Sequence, residues 1–160
     1  MKNLEDLFEH QLQDLYSAET QIIAALPEME KKASNAKLKK AFKEHLEETK
    51  GQQERLKKAC DKLGVNPKGE KCKAIEGIIN EAKDFISEGA DKEVMDAGLI
   101  ANAQRVEHYE IAGYGTAFHY AKMLGHAEIA ELLQATLEEE KDADEKLNDL
   151  AIEKINEAAL

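Results

Sequence analysis

Tryptophan is absent from this chain, and proline and cysteine occur only twice each. Each scarcity closes off a class of protein. Two cysteines, Cys60 and Cys72, are too few for a disulfide framework, and their spacing is not that of a zinc site. Reduced thiols are the ordinary reading, and a Cys60–Cys72 bridge across the short loop between them stays open. No apolar run approaches the roughly 18 residues that a membrane span needs. The start, Met1 to Glu9, is acidic and holds no apolar block, so no signal peptide is expected. Positive charge is also in short supply. The formal net charge of −11 argues against DNA or an anionic membrane as a direct partner, since phosphates would be repelled.

What is present is Glu, Lys, Ala and Leu, the composition of an all-α protein. One hundred and sixty residues suit one domain, taken as residues 1–160, with room for a sizeable core. Hydrophobic residues recur at spacings of three and four along four long stretches. The first, about residues 4 to 33, follows an Asn3 cap and carries Phe8, Leu12, Leu15, Ile22 and Leu26. Pro27 lies inside it, where a kink or break is expected. The second, about 35 to 64, opens at Ser34 or Asn35 and stops at Gly64. A shorter helix is expected over 71–88. The third long helix, about 92 to 124, has Asp91 as its cap and Gly113 and Gly115 inside it, which predicts tight packing or local irregularity there. The fourth runs from about 126 to 158. Short turns join the first to the second and the third to the fourth, so each pair is an antiparallel hairpin. The long connection between hairpins returns along the bundle as a crossover carrying the short helix. That is the ferritin-like four-helix arrangement.

Each long helix places carboxylates in its apolar stripe near its midpoint: Glu19, Glu48, the pair Glu107 and Glu110, and the pair Glu140 and Asp144. At about 1.5 Å rise per residue, helices of similar length paired end to end bring their centres to one height. Residues three or four apart share a face. Six carboxylates can therefore be aimed at one small volume, where burial without compensation costs several kcal/mol. Asp and Glu make up 33 of 160 residues, so some fall near a stripe by chance. Chance does not favour midpoint positions at matching heights on four helices. Glu138, Glu139, Asp142, Glu47, Glu54 and Glu145 are assigned to solvated faces. A pair of hard divalent cations suits the remaining set, and oxygen ligands favour iron, then manganese. Ferritin-like di-iron proteins use a Glu from two helices and Glu-x-x-His from two. Here the second helix reads His45-x-x-Glu48, the third Glu107-x-x-Glu110, and the fourth Glu140-x-x-x-Asp144 without a His. His45 and Gln52, one turn to either side of Glu48, are further ligand candidates. Tyr114, one turn beyond Glu110, is placed either to donate to a ligand carboxylate or to serve as a core aromatic. His10, His108, His119 and His126 read as surface or packing residues.

The segments DLYSAETQ (14–21), HLEETKGQQERL (45–56), CKAIEGIINEA (72–82), AQRVEHYEIAGYGT (103–116) and TLEEEKDADEKLNDLA (136–151) closely resemble the YciF/YciE stress-protein family. The resemblance spans nearly the whole chain. It implies a ferritin-like bundle with an added short helix, a dimetal site, a bacterial cytoplasmic location, a homodimer and a link to stress. It carries the ligand positions onto Glu19, Glu48, Glu107, Glu110, Glu140 and Asp144. The family's biochemical activity is not established. Three functions follow as expectations: dimetal redox chemistry with dioxygen or peroxide on an unknown small-molecule substrate, metal binding or storage without catalysis, and a structural role.

Overall fold

In the computed structural model, which describes residues 1–160, Asn3 opens the first helix. Its side chain accepts the Asp6 amide at 2.8 Å, satisfying one of the donors that a helix start leaves free. Helix α1 (Leu4–Lys32) then runs through Pro27 without a break. Leu26 and Met29 on either side are both buried in one apolar cluster, so packing holds the helix across the lost backbone bond. Asn35 caps α2 (Ala36–Leu63), accepting from Lys37 N and Leu38 N. Gly64 ends it at φ +69°, in the left-handed region.

The crossover contains α3 (Lys73–Ser87), and α4 (Lys92–Met123) follows. The expected Asp91 side-chain cap does not form. Asp91 is exposed, and only its backbone carbonyl engages the helix, accepting from Met95 N at 2.7 Å. α5 (Ala127–Leu150) passes into a π-helical turn (Ala151–Ile155) and a last short turn (Asn156–Ala158), a departure from the regular helix expected to about 158. No helix is long and apolar enough to cross a membrane.

α1 pairs with α2 and α4 with α5, as the short turns require. α2 against α5 and α1 against α4 close an all-α, ferritin-like four-helix bundle, and α3 lies along α1 and α4. Its start is tied to α1: Cys72 N donates to Ser17 Oγ at 2.8 Å, and Gln21 Nε2 donates to Cys72 O at 3.0 Å. Its apolar face, Ile75, Ile79 and Ile86, is buried in the same cluster as Ile22, Leu99 and Leu147. A second cluster at the other end holds Leu12, Leu15, Leu56, Tyr114 and Leu133. Cys60 lies in this second cluster and Cys72 in the first, both as free thiols, so the bridge left open by the sequence is not made. Of the two glycines expected to mark tight packing, only Gly113 does so: a Cβ there would come within 2.8 Å of Leu15 Cδ2, whereas Gly115 faces open space.

Candidate metal centre

Between the two apolar clusters lies a layer of buried polar side chains: Glu19 from α1, His45, Thr49 and Gln52 from α2, Glu107 and Glu110 from α4, Thr136 and Glu140 from α5. Their position follows from the helix lengths. Each is close to the middle of its helix, and the hairpins bring those middles together. Glu19, Glu110 and Glu140 are fully buried, and Glu107 and His45 nearly so. Candidate ligand atoms of His45, Glu107, Glu110 and Glu140 all lie within 4.8 Å of one another. His45 Nε2 is 3.3 Å from Glu107 Oε1. Glu19 lies outside that group of four, and its Oε1 accepts from the Tyr114 hydroxyl. Tyr114 thus donates to a candidate carboxylate and is at the same time a fully buried aromatic of the second apolar cluster.

No Lys or Arg pairs with Glu19, Glu107, Glu110 or Glu140. Burial pushes the carboxyls of Glu19, Glu107 and Glu110 well above the ordinary glutamate range. The charge of Glu140 raises Glu19 and Glu107 further, and Glu19 raises Glu110. The Tyr114 hydroxyl is pushed up as well, by burial first and then by Glu19. Nine buried side-chain atoms have no hydrogen-bond partner: Glu19 Oε2, both His45 nitrogens, Gln52 Oε1, Glu107 Oε2, both Glu110 oxygens and both Glu140 oxygens. Native interiors leave few such atoms. Nine in one layer, all lone-pair donors or able to become so, fit bound cations.

The other sequence candidates stand at the rim. The Glu48 side chain is 37% exposed, 3.8 Å from His45 Nδ1 and 4.0 Å from Lys146 Nζ. His45, and then Lys146, hold its carboxyl below the ordinary range. Asp144 accepts from Gln104 Nε2 at 3.1 Å and lies 3.3 Å from His108 Nε2. Of His45 and Glu48, it is thus His45 that takes the inward position on α2. Gln52 is fully buried, and its amide is oriented: Nε2 donates to Glu139 Oε2 at 3.1 Å, and Oε1 is the atom left unpartnered. Glu139 is not the solvated residue that the sequence suggests. Arg55 grips both its oxygens, at 2.6 and 2.7 Å, and also donates to Thr136 Oγ1. Glu47, Glu54, Glu138, Asp142 and Glu145 are exposed as expected.

Comparisons with known proteins agree with this architecture. The family model described as a domain of unknown function, DUF892, matches residues 3–160. Protein YciF of Escherichia coli (strain K12) is 50% identical over 160 residues, which is 99% of this chain and 96% of that protein. The crystal structure of the E. coli stress protein YciF matches with a TM-score of 0.94 at 50% identity, over 98% of this chain and 99% of that one. YcfI of Rhodopseudomonas palustris, which carries the provisional description of a structural protein, matches with a TM-score of 0.90 at 50% identity, over 92% and 94% of the two chains.

Proposed function

The chain belongs to the DUF892 family, the family of YciF, and on that footing we propose that it is a stress-related dimetal-carboxylate protein that holds two cations, iron first and manganese second. The observation that carries this reading is the layer of unpaired buried carboxylates with a histidine among them and no cationic side chain in balance. Glu140 acts on both Glu19 and Glu107, and Glu110 is itself raised by both, so Glu110 and Glu140 are the carboxylates that two cations would share. His45 with Glu107 closes one side, and Glu19 with Gln52 Oε1 the other. Tyr114 fixes the orientation of Glu19 by its hydrogen bond. Arg55, through Glu139, holds the Gln52 carbonyl inward. Glu48 and Asp144 are rim carboxylates that can turn inward to complete the set. Iron or manganese in this layer would supply a redox couple and open coordination positions for dioxygen or peroxide.

The test is a melting temperature measured with and without metal. Ferrous iron under anaerobic conditions, or manganese, at a hundredfold excess over Kd stabilises the fold by about 2.7 kcal/mol. For a chain of this size that is a Tm rise on the order of 5–10 °C. The double change Glu107→Ala with Glu140→Ala removes the rise. A rise that survives it puts the ligands elsewhere. Repeated turnover of dioxygen or peroxide by the ferrous-loaded protein marks an enzyme, and one stoichiometric event marks a metal binder. The description of the Rhodopseudomonas relative favours a structural role as the alternative. A protein that stays metal-free after both metals are offered supports that alternative.

A further inference from the structure

The bundle does not pack solid beside the acidic layer. A cavity of about 50 Å3 opens on the crossover side of Glu107 and His45, walled by Leu26, Phe42, Val106 and Leu147 from the bundle and by Ile79 and Ile86 from α3. Glu107 and His45 form its polar end. The other side chains just named are apolar, and buried Asn102 and the exposed Glu28, Glu44 and Lys83 also line it. Water needs two to four polar partners to occupy a cavity, and an apolar one of about 150 Å3 stays dry and takes benzene or xenon. This one is about a third of that size. It is of the right size for a diatomic gas. Glu48 and Lys146, 4.0 Å apart, edge it on the α2–α5 side.

We propose that this cavity is a binding pocket for dioxygen, held as a dissolved apolar gas against the Glu107–His45 side of the layer. The assignment rests on the dimetal reading for its purpose and on the cavity alone for its existence. It also gives the crossover helix a role, since α3 supplies part of the wall that keeps the pocket apolar.

Xenon tests it in the metal-free protein. Crystals of the full chain pressurised with xenon are expected to show a xenon peak between Phe42 and Val106. Ala103 and Ala143 line the same cavity and are almost fully buried. Ala103→Val or Ala143→Val fills it, and the peak is expected to vanish. The two variants lie on different helices, so failure of one to fold leaves the other. Ordered waters in the cavity, no xenon in the wild type, or a peak undiminished in a filled variant overturns the proposal. Because xenon is read without metal, the outcomes separate cleanly. Xenon bound without a metal-dependent Tm rise keeps the pocket and removes the centre. A Tm rise without xenon keeps the centre and removes the pocket. In the ferrous-loaded protein, Ala103→Val is expected to raise KM for dioxygen while the metal-dependent Tm rise stays. An unchanged KM counts against the pocket.

Discussion

Asp96 is a buried carboxylate with a different task from those in the acidic layer. It sits on α4 and reaches the turn between α1 and α2. Its oxygens accept from Ser34 N at 2.7 Å, Ser34 Oγ at 2.5 Å and Asn35 N at 2.9 Å. This one side chain therefore ties the first hairpin to the second. Asp96→Ala leaves those donors unpaired in a partly buried turn, and the expected loss is about 2–4 kcal/mol. Asp96→Asn keeps one acceptor and is expected to lose less. Urea unfolding midpoints check both, and an unmoved midpoint for Asp96→Ala refutes the role. Nothing local marks Asp96, because its partners lie 61 and 62 residues away. Local periodicity did mark Glu19, Glu107, Glu110 and Glu140, whose helices carry apolar residues a turn to either side. It could not choose between His45 and Glu48. Those two differ by three positions, roughly 60° round the helix, and both border the stripe. The packing of α2 in the bundle decides it, turning His45 inward against Glu107 on α4 while Glu48 stays 37% exposed.

At the scale of helices, the junctions governed by adjacent residues were legible and those governed by distant packing were not. Asn3, Asn35 and Gly64 act on backbone groups a few positions away. The unbroken course through Pro27 and the π-helical turn at Ala151–Ile155 depend on what lies against them, with Ala151 and Ile155 both buried in the first cluster. The seat of α3 is of the second kind. Gly98 on α4 faces Phe85 on α3 so closely that a Cβ at Gly98 would lie 2.0 Å from the ring's Cζ. Gly98→Ala must push the Phe85 ring aside. The expected destabilisation is about 1–3 kcal/mol, with faster amide hydrogen exchange in α3 than in α1, α2, α4 and α5. The double variant with Phe85→Ala is expected to cost less than the sum of the two single changes, because both remove the same contact. Strict additivity, or uniform loosening of all the helices, would show that this contact does not seat α3.

For the whole molecule, two apolar clusters clamp an acidic layer that opposes the fold whenever it is charged and unmetallated. The raised carboxyls of Glu19, Glu107 and Glu110 set the sign of the pH dependence. Between the ordinary glutamate value of 4.5 and their raised folded-state values, the folded chain binds more protons than the unfolded chain. The stability they contribute is therefore complete below that ordinary value and is lost as pH rises through the folded-state values. This is the reverse of a salt-bridged carboxylate, whose contribution fades as pH falls. Metal displaces these protons, so its affinity rises with pH. The metal-free Tm is expected to decline as pH rises from about 5 to 8, and the gap between loaded and metal-free Tm to widen over the same range. Glu110→Gln, which removes one charge from the middle of the layer, is expected to flatten the decline and to raise the metal-free Tm at neutral pH. Thermal melts across that range with and without manganese read both effects. A metal-free Tm that climbs with pH in parallel with the loaded protein would mean that the buried acids are already neutralised by something other than protons or metal.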